Sequence, residues 1–70
     1  MIIEVFKTNV CEPADASRLV SLLSGHIPGS KVNFDLLDCD KILRVEAPEI
    51  YPEKIISTLH EKGFFCALLE

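Results

Sequence analysis

Lys31-Val32-Asn33-Phe34-Asp35-Leu36-Leu37-Asp38-Cys39-Asp40-Lys41-Ile42-Leu43-Arg44-Val45-Glu46-Ala47 is the stretch that decides the fold. From Lys31 to Asp38, Val32, Phe34 and Leu36 alternate with Lys31, Asn33 and Asp35. A period of two marks a half-buried strand. Asp38-Cys39-Asp40 is a short polar break, after which Lys41 to Ala47 resumes the alternation through Leu43 and Val45. A link this short joins antiparallel strands, because a parallel pair needs a crossover of roughly a dozen residues or more. The stretch therefore reads as a hairpin, and Pro48 stops it.

Upstream, Ile2 to Val10 is a further alternating run. Ile2, Phe6, Thr8 and Val10 fall on one side, and Ile3, Val5, Lys7 and Asn9 on the other. Pro13 suits a first helical position, where its missing N–H is not needed. Ala16, Leu19, Val20, Leu23 and Ile27 recur at helical spacing, which predicts a helix from about Pro13 to about Gly25. Pro28-Gly29-Ser30 is a turn. Downstream, Pro52 opens a second helix with Ile55, Ile56 and Leu59 inward, Gly63 closes it, and Phe64 to Leu69 is a last strand. The order β-α-β-β-α-β predicts an α+β, ferredoxin-like fold: a four-stranded antiparallel sheet with two helices on one face. An open parallel sheet would need a longer link at Asp38-Cys39-Asp40.

The 70 residues suffice for a single domain, 1–70, in which only about 60% of the unfolded chain's surface becomes buried. Apolar residues are 49% and charged residues 26%, a globular rather than a disordered balance. Net charge is −4 with no basic block, so no nucleic-acid partner is expected, since phosphate contacts dominate that affinity. The apolar runs are too short for a membrane span, and the first residues read as a strand rather than a signal peptide. The default expectation is cytoplasmic. Three cysteines, an odd number, fit free thiols in a reducing compartment.

Tracing chain direction through this topology brings the three cysteines to one end. Cys11 lies between the first strand and first helix, Cys39 in the hairpin turn, and Cys66 just past the second helix. Thiolates are soft ligands that select Cu(I) or Zn, and a helix N-terminus beside Cys11 favours the thiolate form. Cys11, Cys66 and Cys39 are thus the candidate metal residues. Strand order puts Cys66 within reach of Cys11, whereas Cys39 would have to lean inward. Plain packing competes for Cys66, between Phe65 and Ala67, because free Cys is often a buried small apolar residue. Cys39, between two aspartates, has the alternative of an incidental exposed thiol.

The element order, the loop cysteine, the Leu19-Val20-x-x-Leu23 helix face and Lys62-Gly63-Phe64 resemble the heavy-metal-associated domain family of copper chaperones and metal-ATPase modules. The resemblance spans the whole chain and implies a metallochaperone-like role with Cu(I) or Zn. In that family a Met-x-Cys-x-x-Cys loop opens the first helix. Here, aligning cysteine with cysteine puts Cys11 at the first ligand position and Ala14 at the second. Aligning helix faces instead puts Glu12 and Asp15 there. The first alignment needs Cys66, His60 or a second molecule to complete a site. Lys62 matches the family's neutralising lysine, and the helix dipole equally explains it.

No other chemistry stands out. His26 falls at the opposite end from the cysteines, and His60 at theirs. No pair of acids suggests general acid–base work, and Ser17, Ser21 and Ser24 lack an activating base, so no enzyme is expected. Ile3, Val5, Leu37 and Ile42 are expected on the sheet face without helices, usually a polar surface. This supports the alternative of a metal-free interaction or regulatory module, with a protein partner or a homodimer through the open sheet.

Overall fold

The computed structural model describes residues 1–69. It contains β1 (Ile2–Thr8), α1 (Pro13–His26), β2 (Lys31–Asp35), β3 (Ile42–Ala47), α2 (Pro52–Glu61) and β4 (Cys66–Leu68). The sheet order is β2-β3-β1-β4, with every neighbouring pair antiparallel. This is the ferredoxin-like α+β arrangement predicted from the hairpin.

The register shows how alternation becomes a core. Phe34 lies opposite Leu43, Leu43 opposite Phe6, and Phe6 opposite Leu68, a single row across all four strands. One row lower, Val32 faces Val45. Onto this face α1 packs Ala16, Leu19 and Leu23, and α2 packs Ile55 and Leu59. Phe6, Leu43 and Leu59 are fully buried, each contributing about 1.5–3 kcal/mol relative to exposure.

Both helices begin at proline, as read from the sequence. α1 runs one residue beyond the expected stop: Gly25 is helical, and the turn is made by Gly29 at φ +73°. Gly63 ends α2 at φ +87°. Its N–H donates to the His60 carbonyl, and that of Phe64 to the Leu59 carbonyl, the paired bonds of a Schellman cap.

The hairpin link is longer than the polar break predicted. β2 ends at Asp35, whose Oδ1 accepts from the Leu37 N–H at 3.2 Å and turns the chain early. Asp38 Oδ1 accepts from the Asp40 N–H at 2.8 Å, and Lys41 is left-handed at φ 48°. These aspartate-led turns release Leu36 and Leu37 from the ladder. Leu37 is therefore 98% exposed on the loop tip, not on the sheet face.

Candidate functional site

The end of the sheet carrying the cysteines is built by Thr8 and Asn9. Alternation along β1 points Thr8 into the core, where it is 5% exposed and hydrogen-bonded on every side. Its hydroxyl donates to the Lys41 carbonyl at 2.6 Å and accepts from the Val10 N–H at 3.2 Å. Its own N–H donates to the Asp40 carbonyl at 3.1 Å. The hairpin loop is thus fastened to the end of β1. Asn9, on the opposite face, accepts at Oδ1 from the Phe65 N–H at 2.8 Å and ties in the α2–β4 turn. Three loops that are distant in sequence become one surface.

Each cysteine has a different setting there. Cys11 follows the fully buried Val10 and is exposed just before Pro13 opens α1. Cys39 is exposed in the hairpin loop. Cys66 is 3% exposed within the apolar core, and loss of water around it pushes its thiol up to about 11. Metal ligands are thiolates, so Cys66 at neutral pH is a protonated, packed side chain.

Asp38, Cys39 and Asp40 bring one ligand atom each to within 4.8 Å of one another. Among the described residues, these are the only three or more His, Cys, Asp and Glu groups so gathered. Cys11 and His60 join no such cluster, and His60 is exposed on α2. Tetrahedral zinc, with ligands at about 2.0–2.3 Å, needs donors roughly 3.3–3.8 Å apart, a gap that rotation of exposed side chains can close. Lys7 Nζ stands 3.7 Å from Asp40 Oδ1, and Lys41 Nζ donates to the Leu36 carbonyl at 3.0 Å, so two cations flank the acidic loop.

Sequence reading treated Asp38-Cys39-Asp40 as a break between strands. Asp38 also turns the chain at Cys39 by accepting the Asp40 N–H, and the resulting cluster was signalled only by the acid–thiol–acid spacing. Lys62 lines a groove with Asp15, Arg18 and Phe64, against the first turns of α1.

Compared with known proteins, the chain matches no family model, no curated protein and no solved structure. No helix among the described residues is long and apolar enough to cross a membrane.

Proposed function

We propose that this domain binds a thiophilic metal ion, Zn(II) before Cu(I), on its hairpin loop. The observation that carries the reading is the convergence of Asp38, Cys39 and Asp40 within 4.8 Å. One thiolate with two carboxylates is a mixed sulfur–oxygen donor set, which suits Zn(II) better than the all-thiolate site preferred by Cu(I). Cys11, on the adjoining loop, is the candidate fourth ligand, or the thiol through which metal passes to a second molecule. Cys66 is left out of the ligand set because ionising it in the core works against metal capture. The kinship with heavy-metal-associated metallochaperones belongs to this proposal, with the ligand loop moved from the first helix to the hairpin.

Zinc titration under reducing conditions, in competition with a weak chelator, tests it. Wild type should take up one equivalent, Cys39→Ser should lose at least about tenfold in affinity, and Cys11→Ser should lose less. Equal affinity for wild type and Cys39→Ser sinks the loop site. Loss confined to Cys11→Ser moves the site to the helix.

A second reading rests on the open sheet face. Ile3 on β1 is 48% exposed, and Leu69, just past β4, is 42% exposed and donates its N–H to the Val5 carbonyl, which sets it beside β1. In this reading the face meets a second copy of the chain. Sedimentation of wild type against Val5→Lys from micromolar to millimolar concentration separates the two. A concentration-dependent dimer lost in Val5→Lys supports the reading, and identical monomers remove it.

A further inference from the structure

An apolar cleft lies at the end of the molecule away from the cysteines. It is a cleft of about 590 Å3 between the last turn of α1 and the first turns of α2. Leu23 and Ile55, both buried, line it together with Ile27, Pro28 and Pro48. A cleft of this size, apolar with a few polar groups on its rim, has the general form of a small-molecule site.

The rim gives the polarity of the occupant. Lys54 and His26 both line the cleft and continue together into the adjoining depression with Thr58. The Lys54 ammonium lies 5.4 Å from the centre of the Tyr51 ring, and among the described residues it forms no ion pair. Two rim carboxylates oppose an anion, Glu49 in the cleft and Glu53 beside it. Glu49 is engaged, accepting from the Tyr51 hydroxyl at 3.2 Å.

We infer that this cleft binds a small amphipathic carboxylate, its hydrocarbon or aromatic body on Leu23, Ile27 and Ile55 and its carboxylate beside Lys54 and His26. The Tyr51 ring offers a flat wall for an aromatic body. Lys54 is the discriminating residue: the apolar lining accepts a neutral analogue, and only the ammonium distinguishes the acid from it.

The site is independent of the metal proposal, and NMR amide-shift mapping of the whole chain tests it. The probes are 4-phenylbutyrate and the neutral 4-phenylbutanol, added to wild type, Lys54→Met and Lys62→Met. The acid should shift the amides of Leu23, Ile27, Tyr51 and Ile55 in wild type, and bind about threefold or more tighter than the alcohol, the scale of a rim ion pair. Lys54→Met should abolish that preference, whereas Lys62→Met, at the other end of the molecule, should retain it. No shifts in the cleft, shifts elsewhere, or equal binding of acid and alcohol by wild type would each overturn the inference. So would a preference for the acid that survives in Lys54→Met.

Discussion

At the scale of single residues, Thr8 matters most to the proposed site. It is buried at 5% exposure, and both capacities of its hydroxyl are used, one toward the hairpin loop and one toward Val10. Thr8→Val keeps the shape but orphans the Lys41 carbonyl and the Val10 N–H. It should destabilise the fold by about 1–3 kcal/mol in urea unfolding, whereas Thr8→Ser should cost less. Zinc affinity should fall in Thr8→Val as well, because the loop bearing Cys39 loses its anchor.

The cysteines give a second prediction at this scale. Cys11 and Cys39 are exposed, while Cys66 is buried with a thiol at about 11. A thiol reagent at pH 8 should modify Cys11 and Cys39 rapidly in the native protein and Cys66 only on unfolding. Mass spectrometry of the partly labelled chain checks this, and early labelling of Cys66 would contradict its packed role. In the sequence, the apolar neighbours of Cys66 already suggested packing. Its degree of burial was not legible there, because that depends on how close α2 comes to β4.

At the scale of elements, the two glycines near helix ends should behave oppositely. Gly25 is inside α1, and a Cβ there meets nothing within 4 Å. Gly25→Ala should stabilise by about 0.5 kcal/mol through helix propensity and a smaller unfolded-state entropy. Gly63 also has open space around it but lies at φ +87°. Gly63→Ala should therefore cost about 1 kcal/mol from backbone strain alone. Thermal melts of the two variants should move in opposite directions. The sequence marked both glycines as helix stops, and only the α2 stop coincides with a left-handed residue. Apolar spacing cannot tell the last turn of a helix from the residue after it, because neither position needs a buried side chain.

The hairpin teaches a similar lesson. Its existence, direction and inward residues followed from alternation, yet its turn is longer than the polar triplet. Asp35 and Asp38 each bend the backbone through their own carboxylates, and such local bonds compete with the ladder. Leu37 consequently leaves the open sheet face, while Ile42, opposite Lys7, stays on it with Ile3 and Val5.

For the whole molecule, small size makes ligand linkage visible. A 70-residue domain has little stability to spare, and an ion that binds only the folded state adds about 2.7 kcal/mol at a hundredfold excess over its Kd. With roughly 4–8 °C per kcal/mol in a domain this small, saturating zinc should raise Tm by about 10 °C or more. Chelation should reverse the rise, and Cys39→Ser should remove most of it. A zinc-insensitive melt would contradict the proposed loop site.

By itself, the sequence determined the element order, the antiparallel hairpin, the inward faces and the gathering of all three cysteines at one end. These depend on residue period and chain direction, which are local properties. The tertiary structure alone decided which thiols meet water and that Thr8 and Asn9 join three loops. It alone placed a cleft between α1 and α2. The physical reason is that exposure and contacts between loops depend on how separate elements pack together, and neither a single strand nor a single helix carries that information.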